Sequence, residues 1–474
     1  MKLRHAGLIA LALGAAAHSL AAIIGTNVPA TPLTAERVAT LPAWKSYFEN
    51  SLRQRQADQN FLRAELRAHG WNQTTLPPKT TNADGVALDR ETGWYGSAKA
   101  RRSADILISF QTPAGGWSKN TDFTQRVRAP GEMFGAENGS LFLNTNDFDR
   151  PREAGWSYVG TFDNDATTTE LRFMAKVIAA NGTNNAPWQK SFQRGLDYIF
   201  AAQYPNGGWP QVWPLQGGYH DAITINDDAE LHVIEFLRAV AGGQAEFSFV
   251  PPALRAQAAA SWQRGLDCLL AAQINVHGQR TVWCQQHDAL TLQPSSARNY
   301  EMPAATSSES GTLVLFLMQL PDPDARVVAA VHAAAAWFKK TKIMGQAFHS
   351  DGADGRQLVA AAGSGPIWAR YYEIGTDRPI FGDREKSIHD DVNEISRERR
   401  QGYGWFRDTG KRVLEHYAKW AKEHPRQNNL RGFANGSRAS AASGTEAGRH
   451  IITRATTSAA SRNNQAPGRK YWWR

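Results

Sequence analysis

One recurring pattern restricts the fold of this chain more than any other feature. ADILISFQTPAGGWSK (104–119) is matched by FQRGLDYIFAAQYPNGGWPQ (192–211), and WQRGLDCLLAAQINVHGQ (262–279) follows the second copy through its Ala-Ala-Gln. Each copy reads as an amphipathic helix ending in Gln, and the first two continue into a Gly-Gly-Trp turn. Phe192, Leu196 and Ile199 mark one helical face, and glycine suits a helix exit because it takes φ > 0 without strain. A second helical segment with an acidic start follows each copy: DNDATTTELRFMAKV from Asp163, NDDAELHVIEFLRAV (226–240) and SSESGTLVLFLMQL (307–320). Repeated helix pairs cannot bury their faces alone and must stack. The expected fold is all-α: an α/α toroid, an incomplete (α/α)3 barrel of stacked helical hairpins with long rim loops. Amphipathic helices would form its outer wall and more apolar ones its inner wall. The inner helices would then start on one rim, gathering the Asp163, Asp227 and Glu309 loops around a cleft.

The ends of the chain read differently. Lys2 and Arg4 precede an apolar run, Gly7–Ala17, and Ser19-Leu20-Ala21 fits a small-x-small cleavage site, so residues 1–21 read as a signal peptide. That run is too short to span a membrane, and the product is expected to be periplasmic or secreted. Net charge is +9, but residues 426–474 hold nine Lys/Arg against one Glu. The body, 22–425, is close to neutral, which points away from a nucleic-acid partner; any hold on an anion must come from local basic clusters. The polar, aperiodic tail from Arg426 is expected to be disordered. Residues 322–345 read as one more helix, 346–404 as loop, and 406–424 as a closing helix. Cys268 and Cys284 could bridge in an oxidising compartment or be two small buried residues; spacing does not decide.

The segment GTFDNDATTTELRFMAKV poses the chemical question. Leu171, Met174, Ala175 and Ile178 follow helical spacing, and a single Asp before them would suit an N-cap. Two acids flanking an Asn exceed what a cap needs. With AAQYPNGGWPQVWPLQGGYHDAITINDDA, WCQQHDALTLQPSSARNYEMPA, YYEIGTDRPIFGDR and EISRERRQGYGW, this segment resembles polysaccharide lyase family 10, the pectate lyases, from about Trp94 to Trp405. The resemblance implies an α/α toroid, acting as a monomer, that cleaves polygalacturonate (pectate) by β-elimination with Ca²⁺.

The chemistry agrees with those residue types. β-Elimination removes the C5 proton of a uronate, a weak carbon acid, so a base must act while the developing enolate charge is stabilised. Ca²⁺ takes hard oxygen ligands, and Asp163, Asn164 and Asp227 supply them from two inner-helix starts, with Asp163 counted among the catalytic groups. Asp165 and Asp228 are expected to cap the helices. By resemblance Arg384 matches the family's base, and Arg298 and Arg370 match binders of substrate carboxylates, with Arg378 beside them in the same motif. Trp117, Lys119 and Asn120 in GGWSKN match a rim motif in which the family has Pro where this chain has Ser118; Lys119 would hold a uronate carboxylate and Trp117 would contact substrate. Arginine also suits bidentate carboxylate binding and normally stays protonated, so binding alone is an alternative for Arg384. Trp209 is expected to pack, and His287-Asp288 to be structural. Rival classes are a non-catalytic uronate-binding protein, a triterpene-cyclase-like toroid and a glycosidase with paired carboxylates.

Overall fold

The computed structural model describes residues 22–78, 86–136, 146–150, 156, 158–182, 185–350 and 352–426. Residues 1–21, expected to be a signal peptide, and the tail from 427 lie outside them. Among the described residues there are eleven α-helices: α1 (Ala35–Val38), α2 (Pro42–Ala68), α3 (Ala98–Phe110), α4 (Thr168–Asn181), α5 (Ala186–Ala202), α6 (Ala229–Gly242), α7 (Pro252–Ala272), α8 (Ser308–Leu317), α9 (Ala325–Thr341), α10 (Arg397–Gly402) and α11 (Thr409–Glu423). The repeats are α3, α5 and α7, and their partners are α4, α6 and α8. α3 packs on α4, α4 on α5 and α6, α6 on α7, and α8 on α9 and α11. The protein is the expected helical toroid. The inner helices are buried almost all round: α8 encloses Leu313, Val314, Leu315, Phe316 and Leu317, which settles that apolar run as a helix.

The repeat has a physical cause. The last four carbonyls of a helix lack intrahelical partners. In four helices, one of these carbonyls receives an indole N–H from a Trp further along the chain. Trp117 donates to Leu107 of α3 at 2.9 Å, Trp209 to Ile199 of α5 at 2.9 Å, Trp283 to Leu269 of α7 at 2.6 Å and Trp368 to Phe338 of α9 at 3.0 Å. The Gln that ends each outer helix ties it to the next. Gln111 donates to Ser191 O at 2.9 Å, Gln203 to Ser261 O at 2.9 Å and Gln273 to Ala330 O at 3.1 Å. Gly195 and Gly265, the glycines of the two Arg-Gly-Leu-Asp copies, leave room for the preceding hairpin's Trp. A Cβ at Gly265 would stand 2.6 Å from Trp209, and one at Gly195 3.1 Å from Trp117.

Segment 346–404 corrects the loop expectation. It holds the hairpin Gln346–Ser350/Arg356–Ala360, helix α10 and most of a five-stranded antiparallel sheet. The sheet runs Ile23–Thr26, Ser387–His389, Pro379–Gly382, Tyr371–Tyr372, Ala305–Thr306. Strands of two to five residues carry too few positions for a period-2 signal, and their partners are distant in sequence. Helix α2 also had no counterpart in the sequence reading; of its 27 residues only Tyr47, Ser51, Asp58 and Leu62 are buried. Cys268 and Cys284 are separate buried thiols.

Candidate active site

The acidic starts of α4 and α6 are two copies of one turn. The backbone N–H of Trp117 is accepted by Thr167 Oγ1 at 3.0 Å, that of Trp209 by Glu230 Oε2 at 2.9 Å and that of Trp283 by Ser310 Oγ at 2.9 Å. These equivalent bonds set the register. Asp163 corresponds to Asn226, and Asn164 to Asp227, so each turn offers one carboxylate and one amide in exchanged order. The backbones agree: Asn164 lies at φ 50°, ψ 44° and Asp227 at φ 50°, ψ 31°, the left-handed region that Asn and Asp tolerate best. The next residues, Asp165 and Asp228, are left-handed too.

The structure corrects the capping expectation for those two. Neither α4 nor α6 has a side-chain cap bond. Asp165 pairs with His232, and burial lifts the Asp228 carboxyl to about 7 although His232 acts against it.

The two turns touch, and the second touches α8. Asp163 is 3 % exposed and its Oδ1 is buried without a hydrogen-bond partner, while Oδ2 pairs with Lys119. The Lys119 ammonium stands 3.6 Å above the Tyr158 ring, and Tyr158 OH lies 3.0 Å from Tyr219 OH, which donates to Asp149. Burial, then the Asp163 charge, lift the Asp227 carboxyl to about 6, against the pull of Arg370 and Arg298. Two close carboxylates with an orphaned oxygen are costly without a cation. Among the described residues no group of three or more His, Cys, Asp or Glu side chains gathers as a metal site. The protein's oxygens would therefore fill only part of a Ca²⁺ shell, which takes six to eight ligands, leaving positions for water and substrate. The donor set fits that ion.

An arginine wall faces this rim. Arg370 is buried; its Nε donates to Glu309 at 2.9 Å and its Nη2 to Asn226 at 2.8 Å, tying the second acidic turn to α8. Arg298 donates to Glu301 through Nε at 2.8 Å and Nη2 at 2.6 Å. Burial works to lower the pKa of both arginines, but Glu301 with Tyr300 and Tyr403 at Arg298, and Glu309 with Tyr403, Tyr371 and Asp227 at Arg370, together raise them. Tyr403 donates to Glu301 at 2.6 Å, and the Tyr371 hydroxyl, with one proton to give, lies 2.5 Å from Tyr403 OH and 2.6 Å from Gln285 Oε1. Gln285 O in turn accepts the backbone N–H groups of Ile225 and Asn226 at 2.8 Å each. This hydrogen-bonded relay joins wall to turn.

Arg384 sits between the strands Pro379–Gly382 and Ser387–His389, and donates to Glu398 of α10 through Nε at 2.9 Å and Nη2 at 3.0 Å. That bond raises its pKa. Arg370 and Arg298 pull the Asp227 carboxyl down, and Arg384 lies next to Arg298 and Tyr300.

Two expected substrate contacts have other partners in this structure. Trp117 is fully buried; its indole belongs to the hairpin and presents no face to a sugar. Arg378 is directed to the exposed acids Asp390, at 3.0 Å, and Glu373, at 3.3 Å, and no contact joins it to the arginine wall. Trp209 packs as expected, and His287 is structural: its Nδ1 lies 2.8 Å from Leu292 O and its Nε2 accepts Cys284 N–H at 3.1 Å. The sequence reading missed Glu301, Tyr403, Tyr158 and Glu398. Glu398 and Tyr403 lie in EISRERRQGYGW and Glu301 in WCQQHDALTLQPSSARNYEMPA, but nothing in the spacing of either motif distinguishes them.

Comparison with known proteins decides the family. The pectic acid lyase family model matches residues 111–414. The chain belongs to the pectic acid lyase family. It is an enzyme, a pectate lyase. A family 10 polysaccharide lyase from Cellvibrio cellulosa is 31% identical over 72% of this chain and 99% of its own, with a TM-score of 0.57. An aspartate-to-alanine mutant of family 10 polysaccharide lyase from the same organism, in complex with trigalacturonic acid, is 30% identical over 71% of this chain and 96% of its own, also at TM-score 0.57. No curated protein matches the chain.

Proposed function

We propose that this pectate lyase cleaves α-1,4-linked polygalacturonate by calcium-assisted β-elimination and releases 4,5-unsaturated oligogalacturonides. The observation that carries the reading is the orphaned, buried Asp163 Oδ1 beside Asp227, facing a wall of arginines. The trigalacturonic acid bound by the Cellvibrio relative supports a polyuronate as the substrate class. Asp163, Asn164 and Asp227 would hold the ion, and calcium, when bound, acts as a Lewis acid toward the uronate carboxylate. Arg370 keeps Asn226 and Glu309 in place. Lys119 balances Asp163 and provides a cation for a second carboxylate. The C5 proton passes to a neutral guanidine, the C5–H electron pair forms the C4=C5 double bond, and the C4–O4 bond breaks with its electrons on the leaving oxygen, which is then protonated.

Arg384 is the acceptor that the motif reading selects. Arg298 is a second candidate, because it stands in the field of Asp227. Both are held charged by a glutamate in the resting protein, so the neutral fraction is small and grows with pH. We further infer that the chain is exported through its signal segment and works as a monomer; no helix among the described residues is long and apolar enough to cross a membrane.

The test follows the ultraviolet absorbance of the unsaturated uronide from polygalacturonate, with calcium and with chelator. Absorbance that depends on calcium is expected. Reducing ends without absorbance would make the protein a hydrolase. Arg384→Ala and Arg298→Ala then separate base from binder: loss of the base costs about 10²–10⁴-fold in kcat, whereas loss of a binder acts mainly on KM.

A further inference from the structure

Tyr300 stands at the centre of a group of three arginines. Arg399, Arg298 and Arg384 lie 4.4, 5.0 and 5.6 Å from its ring centre. Glu301 serves Arg298. Glu398 serves the other two: its Oε2 accepts Arg399 Nε at 2.6 Å and Arg384 Nε at 2.9 Å, and its Oε1 accepts Arg384 Nη2 at 3.0 Å and Arg399 Nη2.

The helix carrying Glu398 is bound to the loop carrying Arg384. Asp383, directly before Arg384, accepts the Ser396 hydroxyl at 2.8 Å and the Ser396 backbone N–H. Ser396 is the N-cap of α10 and accepts the Arg399 N–H at 3.4 Å. Trp405, fully buried, donates its indole N–H to Arg399 O at 2.8 Å and closes the other end. The backbone on both sides of the Arg384–Glu398 pair is thus fixed without using the pair. Half the Glu398 side chain is exposed, where an ion pair adds little to stability. A paired fork still fixes the plane and rotamer of a guanidinium.

The geometry points to Glu398 as a positioning residue: it sets the orientation of Arg384 toward the uronate and acts on the reaction only through that arginine. The inference rests on the reading that Arg384 meets substrate. Three variants test it on polygalacturonate in calcium: Glu398→Gln, Arg384→Ala and the double variant, with Glu398→Asp as a conservative control. Glu398→Gln is expected to lower kcat/KM about tenfold with the melting temperature unchanged, the size expected when orientation slackens without loss of the group. Glu398→Asp is expected to fall between it and the parent. The double variant is expected to be no worse than Arg384→Ala alone, since a residue that acts through another has no effect once the other is gone. Multiplying losses, or a fall in melting temperature that matches the fall in activity, would overturn the inference. So would an unchanged kcat/KM in Glu398→Gln beside a large loss in Arg384→Ala. Full activity in Arg384→Ala would overturn the underlying reading instead.

Discussion

Carboxylates at two places set opposite problems. Asp163 and Asp227 stand close enough for one to raise the other's pKa, and the proposed remedy is a cation. Asp163→Ala and Asp227→Asn are each expected to weaken calcium binding by at least about tenfold, because each removes a hard anionic ligand; titration calorimetry with calcium alone reads this without turnover. Asp58 of α2 has only a weak remedy, the charge of Arg194, which does not offset its burial. It is buried, its Oδ1 accepts Gln54 Nε2 at 2.8 Å, and burial lifts its carboxyl to about 7. A folded pKa above the unfolded one, near 4, means that the native state binds the proton more tightly. Stability linked to Asp58 is therefore intact below pH about 4 and is lost as pH rises toward 7. Asp58→Asn, which keeps the acceptor and removes the charge, is expected to gain on the order of 2–4 kcal/mol at pH 8 and nothing at pH 4. Urea unfolding at the two pH values measures it.

Among the elements, the outer helix with its returning Trp is the repeating unit. Its bonds explain residues that helical periodicity alone leaves unexplained: the terminal Gln, the Gly-Gly-Trp turn and the glycine inside Arg-Gly-Leu-Asp. Gly265→Ala should gain about 1 kcal/mol of helix propensity. Its methyl would nonetheless sit 2.6 Å from Trp209 and 3.0 Å from Ile234, and overpacking of that kind costs about 1–3 kcal/mol. The expected net result is destabilisation, read as a lower urea midpoint, although alanine is the better helix former.

For the whole molecule, the two walls of the cleft come from different parts of the chain, the acidic turns from 163–228 and the arginines from 298–384. They are joined by Arg370–Asn226 and by the Tyr403–Tyr371–Gln285 relay. An acceptor held charged by a glutamate makes turnover alkaline-dependent: kcat is expected to rise from pH about 7 to about 10 in saturating calcium. A flat profile over that range would remove arginine from the base role.

Much of this was legible along the chain, and the boundary has a physical cause. The hairpins, the inner-helix starts and the acidic and arginine motifs are local patterns, and local patterns survive in a linear reading. Asp163, Asn164 and Asp227 were named without coordinates, and so were Arg298, Arg370 and Arg384. Trp117 is ambiguous along the chain because a Trp in a rim motif looks the same whether it faces a sugar or an orphaned carbonyl. The Asp165 and Asp228 caps failed because two consecutive left-handed residues turn those side chains away from the helix N–H groups. The exchanged Asp/Asn register emerged only from which side chain accepts each Trp N–H. The sheet, helix α10 and the hold of Glu398 on Arg384 depend on partners up to hundreds of residues apart. The sequence alone determined the toroid, the family and the stock of acids and arginines, because periodicity and motif are properties of neighbours. Which carboxylate lacks a partner, which arginine faces Asp227 and which tryptophan is sealed in the wall were decided by tertiary packing, because burial and charge pairing exist only once distant segments meet.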